Sequence, residues 1–171
     1  DDDDLVLVIN GDQPLISSKT IKSMISFCEQ GNYGGVVLSG IVDHPGSLGR
    51  VIRDGKGNLN RIVERKDCNE DEERVKEVNI GVYCFNGKLL KESFSKLDDN
   101  NAQNEYYITD IPVHIKNAGY NFGVCTIADM SEFQGINSRE ELSLATCTLL
   151  NKTRKLHMAN GVTLIDPSST Y

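Results

Sequence analysis

The chain has 171 residues, 39% of them hydrophobic and 25% charged, with a formal net charge of -7; this is the make-up of one globular domain, or a little more, with a core of its own. The acidic balance, with no Lys/Arg stripe interleaved with aromatics, argues against a nucleic-acid partner. No apolar run approaches the roughly 20 residues that span a bilayer, and no basic stretch followed by an apolar one marks a secretory signal in the residues at hand.

Leu5–Ile9 is an unbroken apolar run and predicts a strand covered on both faces, as in a parallel sheet. Beyond the loop at 10–16, Ile21, Met24, Ile25 and Cys28 recur at helical spacing, and Gly31 stops that helix. "GGVVLSGIV", 34–42, is a second apolar strand, so the opening reads as a βαβ unit. "GRVIRD" and "LNRIVER" flank "DGKGN", whose Asp-Gly signal predicts a hairpin. The acidic segment 67–77 reads as a solvated loop with a helical turn. "NIGVYCFN", 79–86, predicts another strand, and helices follow at 88–98 and 108–118. Thr109 is suited to cap the second of these, and Pro112 fits its first turn. "NFGVCTIA" is a further strand. Ser138 and Glu141 make a capping box for a helix over 139–159, with Leu142, Leu144, Ala145, Leu149 and Leu150 as its apolar face. Gly161 releases a last extended segment, "GVTLIDP". No repeat or low-complexity linker divides the chain. Strands alternating with helices predict one α/β unit with an antiparallel elaboration.

The five cysteines are odd in number and form no CxxC pair, which fits neither a disulfide framework nor a zinc site. Free thiols in a reducing, cytoplasmic setting are the simplest reading. His44, His114 and His157 stand alone, without HxxxH or HExxH spacing. Neither GxSxG nor a Walker loop is present, so no nucleophile–base pair is legible.

The polar candidates suit positioning and charge neutralisation instead. Ligands of open α/β sheets bind beyond the carboxyl ends of strands, where Asp12 lies if Leu5–Ile9 is a strand. Gly11 beside it lets a ligand approach the backbone. A carboxylate can face a phosphate only across a hard cation, and Mg²⁺ commonly shares one or two protein oxygens with substrate phosphates. Equally, Asp12 can close an Asx-type turn before Pro14. Gly49 can offer a backbone N–H and Arg50 a charge, or both can be routine loop-to-strand residues. Glu64 and Asn79 carry groups that hold sugar hydroxyls, yet either can be a surface residue at a strand end. Asn137, just before the Ser138 cap, is open in the same way.

Together these pieces acquire an order. "NGDQPLI", "GRVIRD", "RIVERKD", "EVNIGVYCF", "NNAQNEYYITDI", "GINSREEL" and "GVTLIDPSSTY" run through essentially the whole chain. In that order they resemble the uridylyltransferase region of the bacterial bifunctional N-acetylglucosamine-1-phosphate uridylyltransferase/glucosamine-1-phosphate acetyltransferase family. "NNAQNEYYITD" and "DPSSTY" are the specific pieces; Gly-Asp alone is common to many nucleotidyltransferases. The resemblance implies an incomplete nucleotide-diphospho-sugar transferase fold of Rossmann-like type. Its sheet is expected to be mixed and mostly parallel, with helices on both faces and an antiparallel hairpin. Residues 1–160 are then part of the nucleotidyltransferase domain, and 161–171 begin the connection to a left-handed β-helix acetyltransferase domain.

The resemblance further implies that UTP and N-acetylglucosamine 1-phosphate give UDP-N-acetylglucosamine, a cell-wall precursor, and pyrophosphate. Asp12 and Asn137 resemble the two Mg²⁺ ligands, and Asn137 also contacts the product. Asn10 and Gly11 lie beside the nucleotide-sugar, while Gly49, Glu64 and Asn79 hold its N-acetylglucosamine part. The family's Gly-rich "LAAGxGTRM" loop, phosphate-binding lysine and uracil-reading segment are expected upstream of Asp1. The trimerising hexapeptide repeats are expected beyond Tyr171, so the stretch alone is expected to be inactive. Four positions depart from the family pattern: Ser47 and Leu48 in place of the Gly-Tyr of "GYGR", Ile80 in place of the Thr of "NTG", and Asn104 in place of the Gly of "AQGEYY". A non-catalytic sugar-nucleotide-binding module and a nucleotidyltransferase for another sugar 1-phosphate are the alternative readings.

Overall fold

One long strand, β5 (Glu77–Asn86), organises the sheet. The computed structural model describes residues 4–171. Before β5 come β1 (Leu5–Val8), α1 (Ser18–Gln30), β2 (Gly35–Ile41), β3 (Arg50–Arg53), β4 (Leu59–Val63) and α2 (Glu70–Glu73). After it come α3 (Gly87–Phe94), α4 (Ile111–Asn117), β6 (Phe122–Thr126) and α5 (Arg139–Ala159). The residues fall into two units: one through Asn10 and over Ser17–Met130, the other over Gly11–Ile16 and Ser131–Tyr171.

The first unit is a six-stranded mixed sheet with helices. Along one edge β5 pairs antiparallel with β2, from Phe85 against Gly35 to Glu77 against Ile41. Along the other edge it takes two partners in succession. Its C-terminal part, Tyr83–Asn86, pairs antiparallel with β1, and Val78 near its start pairs with Arg50 of β3. β6 extends the sheet parallel to β2, and β3 and β4 form the expected antiparallel hairpin. The α/β reading with a mixed sheet and a hairpin therefore stands. The expectation of a mostly parallel sheet needs correction: β1, β2, β3 and β6 run in one direction, but the only parallel pairing among the described residues is β2 with β6. Strand β5 runs against its neighbours and turns the other contacts antiparallel.

Side chains alternate across a strand, and the helices divide accordingly. On one face Val37, Tyr83 and Phe85 pack with Leu89 of α3 and Ile115 of α4. On the other, Cys84 meets Cys28 of α1, and Phe27 and Val36 close over Gly123 of β6. Tyr83 and Phe85 are fully buried, each contributing on the order of 2 kcal/mol of apolar burial. The Arg53 guanidinium forks onto both Glu77 carboxylate oxygens at 2.7 Å, and Ser39 donates to the same carboxylate at 2.7 Å. One charge thus ties β3, β5 and β2 together. Burial pushes the Glu77 carboxyl up, but the Arg53 and Ser39 bonds outweigh it and hold it below the usual range.

Several local expectations change. Strand β1 is half-buried at all four residues, because among the described residues its one strand partner is β5. α3 is shorter than 88–98; it starts at Gly87 behind the Asn86 cap, whose side chain accepts the Leu89 N–H at 3.1 Å. Thr109 does not cap α4: that helix begins at Ile111 with Asp110 at the cap position and no side-chain cap bond, and Thr109 is turned elsewhere. Pro112 does sit in the first turn.

In the second unit α5 has the predicted bounds, and Ser138 Oγ accepts the Glu141 N–H at 3.1 Å. Of the leucines assigned to its apolar face, Leu142, Leu144 and Leu149 are exposed, and Ala145 is the buried member. "GVTLIDP" carries no regular element up to Asp166, and a 3-10 turn at Pro167–Ser169 follows, closed by the Asp166 side chain on Ser168 N–H at 3.0 Å. No helix among the described residues is long and apolar enough to cross a membrane.

Candidate functional site

The two partners that share one edge of β5 leave Asn79–Val82 between them without a strand partner on that side. On the β2 side the register slips over the same stretch. Val37 faces Tyr83 and Ser39 faces Asn79, so β2 advances two residues while β5 advances four. Such bulges re-aim side chains and recur beside active sites. Gly81 sits inside this one at φ +82°, where a Cβ is costly. A Cβ there would also overlap Asn10 Nδ2 and lie 3.2 Å from Asn10 Cγ. Asn10 therefore lies directly on the Gly81 backbone.

Asn79 is tied down by the same bulge. Its Oδ1 accepts the Gly81 N–H at 2.9 Å, and its Nδ2 donates to the Tyr83 hydroxyl at 2.8 Å. Its main-chain N–H donates to Gly49 O at 2.9 Å. A Cβ on Gly49 would lie 3.5 Å from Glu64 Oε1 and 3.6 Å from Asn79 Cβ. Gly49, Glu64 and Asn79, spaced fifteen residues apart in sequence, thus meet at one place. Gly49 keeps that meeting open by having no side chain.

Glu64 follows β4, and its Oε1 accepts the Thr109 hydroxyl at 3.3 Å. Thr109 is buried and serves Glu64 in place of a helix cap. Burial raises the Glu64 carboxyl above its ordinary value, Thr109 opposes this, and the charges of Asp67 and Asp110 add to it. A cavity of about 460 Å³ opens beside Glu64, with Asp67, Tyr107, Asp110 and His114 among its lining residues. Asp110 is likewise raised by burial, against the pull of His114.

Three of the four departures from the family pattern have a visible place in the structure. Ile80 is buried, and its Cδ1 lies 3.2 Å from the Cβ position of Gly40 in the core. Asn104 adopts φ +51°, a conformation natural to glycine that asparagine tolerates better than most residues. Leu48 contributes its backbone: its carbonyl accepts from Arg50 Nη1. Arg50 itself is buried and bonded to backbone carbonyls of its own loop.

In the second unit, Asp12 and Asn137 flank Gly135. A Cβ there would lie 3.7 Å from Asp12 Oδ2 and 3.6 Å from Asn137 Nδ2. The pairing is fixed by backbone, since Ile136 N–H donates to Asp12 O at 2.9 Å. Asn137 N–H donates to Glu141 Oε2 at 2.6 Å, a bond that lowers the Glu141 carboxyl. Gly11 faces open space, with nothing within 4 Å of a Cβ placed on it. Asp12 and Asn137 bring hard oxygens of the kind Mg²⁺ takes. Among the described residues no group of three or more His, Cys, Asp or Glu could hold an ion unaided. The donor set fits a cation that completes its shell with phosphate and water.

Sequence reasoning missed Gly81, Tyr83 and the role of Thr109. Period-two alternation on "NIGVY" does place 79, 81 and 83 on one face. Nothing in the sequence, however, announces the bulge that brings them together.

The fold is shared with a solved protein assigned as a nucleotidyltransferase. A Bacillus anthracis protein assigned as a glucose-1-phosphate thymidylyltransferase, solved in complex with sucrose, superposes with a TM-score of 0.64 at 19% identity, covering 96% of this chain and 58% of that one. No family model matches the chain. The bifunctional protein GlmU of Clostridium botulinum (strain Eklund 17B / Type B) is 47% identical over 166 residues, 97% of this chain and 36% of that protein. That of Acetivibrio thermocellus is 42% identical over 171 residues, 100% of this chain and 37% of that protein. The chain belongs to the GlmU family, and it spans a little over a third of the length of these curated relatives.

Proposed function

We propose that this stretch is the sugar- and metal-holding part of a uridylyltransferase that makes UDP-N-acetylglucosamine and pyrophosphate from UTP and N-acetylglucosamine 1-phosphate. The observation that carries the reading is the meeting of Gly49, Glu64 and Asn79 at the gap in the sheet edge. An acceptor carboxylate, an amide and a side-chain-free backbone suit the hydroxyl and amide groups of an N-acetylated sugar. Asn10 lies on the Gly81 backbone beside Asn79, where it can contact the nucleotide-sugar.

Asp12 and Asn137 would hold Mg²⁺, which supplies charge neutralisation for the phosphates. The sugar phosphate oxygen attacks the α-phosphorus of UTP in line, forming the new P–O bond as the bond to the leaving pyrophosphate breaks. Glu64, Asn79 and Gly49 fix the sugar so that its phosphate meets that line, which is catalysis by orientation. No side chain is asked to become covalently attached. Residues 1–160 are assigned to the nucleotidyltransferase domain and 161–171 to the start of the link to a trimerising β-helix domain, in a cytoplasmic enzyme of cell-wall precursor synthesis.

The test is pyrophosphate release from UTP and N-acetylglucosamine 1-phosphate with Mg²⁺. A longer protein that includes the family's upstream nucleotide loop is expected to turn over, and its Asp12→Ala variant to lose turnover while keeping its fold. The 171-residue stretch alone is expected to release none. An Asp12→Ala enzyme with near-normal Mg²⁺-dependent rates would remove Asp12 from the metal site. Robust turnover by the short stretch would overturn the assignment of the triphosphate cradle to residues outside it.

A further inference from the structure

We infer that Tyr83 is a positioning residue for sugar recognition, clamping the Asn79 amide from beneath so that its free donor and free acceptor meet the substrate in one fixed sense. The inference rests on the reading of Asn79 as a sugar-holding residue.

A polar atom in an otherwise apolar cluster prompts it. Tyr83 is fully buried among Val37, Phe85, Leu89 and Phe122. Its ring lies 5.3 Å from that of Phe85 at an interplanar angle of 11°, and Phe85 in turn packs on Phe122 at 5.8 Å. Phenylalanine would fill that space equally well. A buried hydroxyl is costly unless it is partnered, and the partner here is Asn79 Nδ2 at 2.8 Å.

An asparagine amide has two N–H donors and two acceptor lone pairs. Gly81 N–H takes one lone pair at 2.9 Å and so decides which end of the amide is oxygen. That single point leaves the amide plane free to tilt. The Tyr83 hydroxyl takes one Nδ2 proton, giving the second point that fixes the plane. What remains is one N–H and one lone pair on a half-buried side chain, the complement of one hydroxyl or amide group. The stacked ring is rigid, so the clamp is set before substrate arrives. Burial keeps the Tyr83 phenol neutral by pushing its ionisation upward, so the clamp persists across the working pH range.

The test is steady-state kinetics of the longer enzyme carrying Tyr83→Phe, Asn79→Ala, or both. Tyr83→Phe keeps the ring and removes only the hydroxyl. It is expected to raise KM for the sugar phosphate by about five- to tenfold, the scale of one lost hydrogen bond. Both kcat and KM for UTP are expected to stay within about twofold, as for loss of uniform substrate binding. In the Asn79→Ala background, Tyr83→Phe is expected to add nothing, because it acts through a group already removed. An unchanged sugar-phosphate KM in Tyr83→Phe, alongside a raised one in Asn79→Ala, would sink the clamp and leave the sugar-site reading intact. Additive effects in the double variant, or a joint loss of kcat and both KM values, would assign Tyr83 a packing role and overturn the inference. An Asn79→Ala enzyme with unaltered sugar-phosphate KM would remove the sugar-site reading and the clamp with it.

Discussion

Replacing Gly81 by alanine probes the bulge directly. Two terms add. At φ +82° an L-residue is strained by about 1–2 kcal/mol. The new Cβ would also overlap Asn10 Nδ2 and approach Asn10 Cγ to 3.2 Å, so the Asn10 side chain must swing away. That displacement of an exposed, flexible end adds about 0.5 kcal/mol. For a chain of this length each kcal/mol corresponds to roughly 2–4 °C in Tm, so Gly81→Ala is expected to melt about 3–10 °C lower. With six tyrosines and no tryptophan, tyrosine fluorescence and far-UV circular dichroism can follow the transition. Repeating the substitution in an Asn10→Gly background separates the terms: the steric part vanishes and the dihedral part remains. A Gly81→Ala melt within about 1 °C of the unaltered chain would refute the strain argument. An equal loss with and without Asn10 would refute the contact.

Two further predictions concern pH. The Glu64 carboxyl is raised from its reference value of 4.5 chiefly by burial. A raised acid carries relative stability below the unfolded value that is lost as pH rises through the folded one. Glu64→Gln is therefore expected to melt as high as or higher than the unaltered chain at pH 7, with the advantage fading toward pH 4; a variant that loses stability at neutral pH would contradict this. Glu77 is shifted the other way, because Arg53 and Ser39 outweigh its desolvation. Its contribution is present above 4.5 and lost as pH falls through the lowered folded value. Glu77→Gln is expected to cost about 1–2 kcal/mol at pH 7, discounted for the partial exposure of Arg53, and nearly nothing near pH 2. Parallel urea titrations at the two pH values would expose a constant cost, which would rule out the ion pair as the cause.

The elements were largely legible because each announces itself locally. The Asp-Gly turn between two short runs gave the hairpin, and Ser138 with Glu141 gave the start of α5 to the residue. What was not legible is what depends on distant partners. The apolar run of Leu5–Ile9 looks like an interior strand, but the half-burial of Leu5–Val8 depends on how many strands flank it, which no local pattern encodes. Strand direction was obscured for the same reason: β5 has to run against β2, and only the register between them says so. At the site, Glu64 and Asn79 read in the sequence as polar residues at strand ends. Their meeting at Gly49 needed the hairpin and β5 to lie side by side. Thr109 reads as a cap because a threonine ahead of a helix usually is one, whereas here its hydroxyl donates to a half-buried carboxylate.

The gap in the edge of β5 has a consequence for how the sheet breathes. Tyr83–Phe85 are bridged on both sides, by β1 and β2, and Val78 is bridged by β3 and β2. Local opening that reaches Val78 from one end or Phe85 from the other must therefore break two ladders at once. Between those anchors the stretch 79–82 is bridged less fully, so the most firmly held strand carries a compliant joint in its middle. Of the residues proposed to grip the sugar, Asn79 sits on that joint, held there by its side-chain bonds to Gly81 and Tyr83.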